Sequence, residues 1–319
     1  MIRRLAKSLA GAAEAGPNPD SHRGTTRSAS GLPLAQQRLW RFMRKPWPEK
    51  VRSVGYHWVR AFGGAPFPLR LPHGIWWIAR NDAMSRMILG GTFETAERAF
   101  VDSFLQPGMT VLDVGAHHGF YSMLASRRVG PSGQVIAFEP SPRERKRLLT
   151  HLRLNRCTNV RVENIALADK EGNAMLFVVE GNDTGCNSLR PPAVAEPTRT
   201  EWVRTARLDD YLRAHGTNRV DLVKMDVEGG ELATLQGATE LLGRRPRPVL
   251  LCEAEDRRTG PWGYKASDIS AFLRGFQYCM FVPQAGGNLT PLDVNCGSLE
   301  GNLVGFPVER LDVVSLQQG

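Results

Sequence analysis

Asp226 and Glu228 stand one residue apart in the run Lys224-Met-Asp-Val-Glu-Gly-Gly-Glu231, which holds three acids within six residues. A buried strand end seldom carries two carboxylates without a partner or a task, because an uncompensated buried charge is costly. Either acid could take a proton from a hydroxyl, which is a poor nucleophile at neutral pH. Alternatively, Asp226 and Glu253 could offer oxygen ligands to Mg²⁺. Lys224 could pair with the acids and make part of the cluster structural, and Glu231 fits an acid favoured by a helix dipole alone.

A second group lies upstream, in Asp113-Val-Gly-Ala-His-His-Gly119. Gly115 allows a tight turn and close approach to a ligand, and Gly119 lets a helix begin near the strand with free N–H groups facing a cofactor. Such loops serve NAD, FAD and S-adenosylmethionine alike, and the spacing departs from GxGxxG. Asp113 at the strand end suits a ligand with a cationic amino group better than a pyrophosphate, which favours S-adenosylmethionine. Glu139, in Phe138-Glu-Pro-Ser-Pro142, lies where a carboxylate can accept hydrogen bonds from both ribose hydroxyls.

Positioning these groups takes strands that end at them. Short apolar runs at 109–114, 134–138, 159–167, 220–225 and 248–253 read as buried strands, and 119–129, 142–156, 230–243 and 267–275 as helices. The alternation predicts an α/β fold with a mostly parallel central sheet and helices on both faces. Runs at 277–282 and 302–306 would add an antiparallel pair at one edge.

The net charge of +9 over 319 residues suggests nucleic acid until it is divided by region. Residues 1–80 hold 14 Lys and Arg against Glu14, Asp20 and Glu49, a net of +11, which leaves −2 for residues 81–319. Residues 1–31 read as a disordered basic tail, with an organelle transit peptide as the alternative. Residues 32–86 read as an Arg/Trp-rich lid or extension, and 87–319 as the catalytic domain. The basic arm could contact an anionic surface or a partner. Five scattered cysteines without a CxxC pair argue against zinc and against a secreted disulfide framework. No run approaches the roughly 18–20 apolar residues of a membrane span. A cytoplasmic protein is expected.

Four motifs in register, Asp113-Val-Gly-Ala-His-His-Gly119-Phe-Tyr-Ser, Phe138-Glu-Pro-Ser-Pro142, Asn164-Ile-Ala-Leu-Ala-Asp169 and Lys224-Met-Asp-Val-Glu-Gly-Gly-Glu231, resemble the FkbM family of S-adenosylmethionine-dependent methyltransferases. The resemblance covers about residues 87–282. It implies a class I (Rossmann-like) methyltransferase fold and methyl transfer to an oxygen, commonly a hydroxyl of a sugar or polyketide-like molecule. It also implies cofactor contacts at Glu94, Asp113, Gly115, Ala116, His117, Gly119, Glu139 and Ala166, with Glu94 in the element Gly91-Thr-Phe-Glu94 closing over the cofactor. His117 stands where the family usually has Asn, and His118 where a small or aliphatic residue is common.

Three rivals remain. One is a non-catalytic module binding nucleotide or nucleic acid, another an N-methyltransferase, and the third a nicotinamide dehydrogenase. The Asn/Asp-Pro-Pro-aromatic tetrapeptide that amino-methylating enzymes use is absent after the fourth strand. The acceptor pocket is expected from the 180–205 insertion, the 254–265 loop and the N-terminal lid, with Asp183, Asn187, Trp202, Trp262 and Tyr264 as candidates.

Overall fold

The computed structural model describes residues 66–71, 74–293 and 298–312. The expected tail (1–31), and the expected lid as far as residue 65, lie outside the described residues.

The first described elements are a hairpin, β1 (Phe67–Arg70) and β2 (Trp76–Ala79), and the helices α1 (Ala83–Gly90) and α2 (Thr95–Phe104). Strand alternation turns Trp77 inward, fully buried, and Trp76 outward. The Trp77 indole stacks on His151 at 4.3 Å between centroids and joins the core that also holds Phe100 and Met123.

The central sheet is built from β3 (Thr110–Val114), β4 (Gln134–Phe138), β5 (Val160–Glu163), β9 (Leu222–Met225), β10 (Val249–Glu253), β11 (Tyr278–Pro283), β12 (Leu289–Pro291) and β13 (Asn302–Pro307). Its order is β12-β11-β13-β10-β9-β3-β4-β5. The strands from β10 to β5 pair in parallel, and β13 runs antiparallel to both β10 and β11. All five residues of β3 are buried, as a strand covered on both faces requires. Val111, Val135 and Leu222 feed one core, and Leu112, Ile136 and Val223 the other. The covering helices include α3 (Phe120–Val129), α4 (Pro142–Leu154), α5 (Leu208–Ala214) and α9 (Ala266–Gly275). This is the class I methyltransferase architecture.

Three departures from the sequence expectation have local causes. The run 159–167 divides at Asn164: β5 stays in the main sheet, while β6 (Ile165–Leu167) pairs with β8 (Thr198–Ala206) in a separate three-stranded sheet with β7 (Gly172–Val179). The expected helix 230–243 splits into α6 (Glu231–Gln236) and α7 (Thr239–Gly243). Gly237, between them, packs so closely that a Cβ would lie 2.1 Å from the Ala168 carbonyl oxygen. The segment 180–205, expected to be a pocket-forming insertion, supplies Gly185, Asn187, Ser188 and Leu189 to the cleft and also contains most of β8, whose partner β7 was not anticipated. The remaining short helix is α8 (Asp256–Thr259).

Candidate active site

The loop after β3 folds back on β4. The Gly115 and Ala116 N–H groups both donate to the Phe138 carbonyl, at 3.1 and 3.0 Å. Gly115 has φ +77, and a Cβ there would lie 1.8 Å from the Asp226 carbonyl oxygen, so only glycine fits between the two strand tips. The next N–H, that of His117, donates to Glu139 Oε2 at 2.7 Å, and Ser141 N–H donates to Oε1 at 2.8 Å. Each Glu139 oxygen thus accepts one backbone donor, and a carboxylate has about two acceptor sites per oxygen, so capacity remains for a ligand's hydroxyls. Burial pushes this carboxyl up to about 8, against the opposing pull of the Ser141 and His117 N–H groups.

Asp226 follows the last residue of β9, its backbone N–H donating to Val114 at 3.0 Å. Its carboxylate accepts from Lys224 Nζ at 3.1 Å. Burial opposes the charge on Lys224, but Asp226, Asp113 and Glu94 outweigh it and hold the ammonium above its ordinary range. Glu228 does not share this lysine. The strand has ended, Glu228 adopts φ +55, and its Oε2 faces Arg258 Nη1 at 2.7 Å. Strand alternation would put Lys224, Asp226 and Glu228 on one side, but it holds only as far as Asp226.

A cleft opens outside these strand tips, lined by Gly115, His117, Glu139, Ala166 and Asp226 among others. Ile165, Leu167, Leu176 and Leu189 give it an apolar wall from the small sheet and its loop, while Asn187 and Trp262 complete the lining. The chemistry fits a nucleoside-bearing cofactor: a glycine cradle, a carboxylate with spare acceptor capacity and an apolar wall.

Other sequence candidates stand behind the cleft rather than along it. Asp113 is the fourth residue of β3, not its tip; its Oδ2 accepts from Ser122 Oγ at 2.5 Å, and Oδ1 has no hydrogen-bond partner. Glu94 accepts from Tyr121 Oη at 2.5 Å, and burial raises its carboxyl to about 7 against the pull of Lys224. Ala116 is buried, and Gly119 starts α3 with φ +85 where a Cβ would meet Leu148 Cδ1 at 2.2 Å.

His117 is a junction. Its ring stacks on His118 at 3.7 Å, with Nε2 at 3.1 Å from Thr184 Oγ1 and Nδ1 at 3.2 Å from Met84 Sδ. Burial lowers its basicity well below the ordinary value, so the ring is neutral at pH 7. The acceptor candidates separate in the same way. Trp262 Nε1 donates to the Glu228 carbonyl at 3.2 Å and Tyr264 Oη to the Gly229 carbonyl at 2.7 Å, so both brace the turn after β9. Asn187 accepts from Val179 N–H at 2.9 Å through Oδ1. Asp183 is not among the lining residues, and Trp202 is 74% exposed on β8. Thr184, Ser188 and Arg258 were missed. Ser188 Oγ donates to the Glu228 carbonyl at 2.8 Å, and no spacing in the sequence announces such tertiary partners.

Among the described residues two groups have metal-ligand spacing: His117, His118 and Glu144, and Asp226, Glu228 and Glu253. In the first, Glu144 is already met by Arg143 and Arg147. In the second, Lys224 and Arg258 face two of the three acids.

Known proteins share parts of this chain. AMB antimetabolite synthetase AmbE of Pseudomonas aeruginosa is 29% identical over 208 residues, 54% of this chain but 10% of AmbE. The 2-O-methyltransferase NoeI of Sinorhizobium fredii is 26% identical over 157 residues, 46% of this chain and 63% of NoeI. The 31-O-demethyl-FK506 methyltransferase FkbM of Streptomyces tacrolimicus is 28% identical over 208 residues, covering 56% of this chain and 76% of that protein. The chain thus spans less than two thirds of the first two. The Methyltransferase FkbM domain model matches residues 113–280, from Asp113 in β3 to the middle of β11 and over half of the 319 residues. The chain belongs to the FkbM methyltransferase domain family.

Proposed function

We propose that the protein transfers a methyl group from S-adenosylmethionine to a hydroxyl of a small-molecule or glycan-type acceptor. The observation that carries this reading is the placement of Glu139 and Asp226 on one cleft, 5% exposed and at a strand tip respectively, on either side of a glycine that admits no side chain. The names of NoeI and of the Streptomyces FkbM, both oxygen methyltransferases, support oxygen as the acceptor atom.

The bound cofactor would supply an electrophilic methyl group, and the chain's own residues do the rest. Glu139 and the Gly115–His117 loop hold the nucleoside, with Ala166 on the apolar wall. Asp226 accepts the hydroxyl proton as the oxygen attacks, general-base help of about 10²–10⁴-fold. Lys224, donating to Asp226, fixes the carboxylate's orientation. Glu228 is occupied by Arg258, so the base role goes to Asp226 alone. Because Lys224 and Arg258 already compensate Asp226 and Glu228, this reading needs no Mg²⁺ at Asp226 and Glu253. Glu94, beside Lys224, would sense the cofactor's positive charge from behind.

The test is transfer of labelled methyl from S-adenosylmethionine to a panel of saccharide and hydroxylated small-molecule acceptors. Alkali-stable ether products with wild type, formed about 10²–10⁴-fold more slowly with Asp226→Asn, support the reading. Products methylated at nitrogen, or binding of NADH in place of S-adenosylmethionine, defeat it.

A further inference from the structure

The outer face of α4 and the hairpin that docks on it form one strongly basic surface. Residues 142–156 hold six Lys and Arg, against Glu144 alone, and residues 66–80 hold Arg70 and Arg80 with no acid. Glu144 is fully buried, so it does not offset the charge presented to solvent. Arg70, Lys146, Arg153 and Arg156 are exposed, and none makes an ion pair among the described residues.

Two large apolar side chains stand within this surface, Trp76 and Leu154, each 41% exposed. They are held together through Asn155. Its Oδ1 accepts from Trp76 N–H at 2.7 Å and its Nδ2 donates to the Trp76 carbonyl at 2.7 Å. Arg70 lies opposite Trp76 in the β1–β2 register, so the two share a face. The hairpin therefore cannot move away from Leu154 and Arg156 without losing both bonds.

We propose that this surface docks the protein on an anionic lipid bilayer, with Trp76 and Leu154 entering the headgroup region and the four basic side chains engaging lipid phosphates. An indole beside an aliphatic chain, ringed by cations, matches the apolar-to-charged gradient of a bilayer interface. A nucleic acid would use the cations and could stack a base on Trp76, but Leu154 would have nothing to bind. No helix among the described residues is long and apolar enough to cross a membrane. The sequence leading into the hairpin continues the same chemistry, with Trp40, Trp47 and Trp58 among arginines.

The test is co-sedimentation of the full chain with vesicles of phosphatidylcholine alone and of equal parts phosphatidylcholine and phosphatidylglycerol, beside a titration with duplex RNA. Binding to the mixed vesicles only, weakened by salt and at least about tenfold by Arg153→Glu with Arg156→Glu, is expected. Trp76→Ser with Leu154→Ser should weaken it as well. Both variants should keep the wild-type melting temperature and affinity for S-adenosylhomocysteine; if the apolar variant fails to fold, the charge variant decides. Vesicle binding that survives the charge reversal, as attachment through residues 1–65 would produce, overturns the proposal. So does RNA binding without vesicle binding, or binding to neither.

Discussion

Asp113 and Lys224 stand side by side in the register of β3 and β9, on the same face of the sheet and both buried. Lys224 raises no net charge problem there because Asp226, Asp113 and Glu94 surround it. Removing the lysine would leave those carboxylates uncompensated. Lys224→Met is expected to lower stability by roughly 3–5 kcal/mol at pH 7. In the variant Asp113 and Glu94, whose carboxyls burial already raises against the pull of Lys224, rise further above their unfolded values, so the penalty grows with pH and should be smaller at pH 5 than at pH 8. Chemical denaturation at the two pH values checks both the size and the sign.

Glu139 has a folded carboxyl at about 8, far above an unfolded glutamate. A ribose that donates to its ionised form must displace a proton below that pH. Affinity for S-adenosylhomocysteine should therefore rise from pH 6 to pH 8, by up to about tenfold per unit, and level off above. Glu139→Gln should bind more weakly and lose this component of the slope. Calorimetry in buffers of different ionisation enthalpy would detect the released proton.

Asp226 and Glu228 are distinguished by their partners, Lys224 and Arg258. Asp226→Asn keeps an oxygen for Lys224 and should bind S-adenosylhomocysteine within about threefold of wild type while turnover falls about 10²–10⁴-fold. Glu228→Gln should retain turnover within about one order of magnitude, with its loss read chiefly as stability, through the weakened pair with Arg258. Equal turnover losses in the two variants would contradict the assignment of the base.

Gly115→Ala places a methyl group against the Asp226 carbonyl, in a backbone region that L residues rarely adopt. The loop must shift, taking the His117 N–H away from Glu139 with it. A loss of at least about 2 kcal/mol in stability is expected, together with abolished cofactor binding. A melting curve and one titration suffice.

The strand ends were legible because buried parallel strands leave continuous apolar runs, and β3, β4, β9 and β10 begin and end within two residues of their expected bounds. Gly115, Glu139 and Asp226 were legible for the same reason: each immediately follows such a run. Side-chain direction was not. Strand alternation carries no information past the last strand residue, so Glu228 was grouped with Lys224 although its φ of +55 turns it to Arg258. Asp113 was read as the strand end although Val114 closes both the apolar run 109–114 and the strand. Trp202 was expected in a pocket on its polarity and aromatic character alone, and the pairing of β8 with β7, formed between residues 19 to 33 apart in the chain, leaves it exposed opposite Met175.

The loop between β7 and β8 is tied to three separate parts of the site. Thr184 meets His117, Ser188 meets the Glu228 carbonyl, and Cys186 lies 3.2 Å from Arg258. Such a segment is not an independently exchangeable part. Transplanting it from a relative without the matching histidine, arginine and Trp262 would change how tightly the nucleoside is held as well as what is methylated. Recombination between family members should therefore succeed only when the graft and its three anchors travel together.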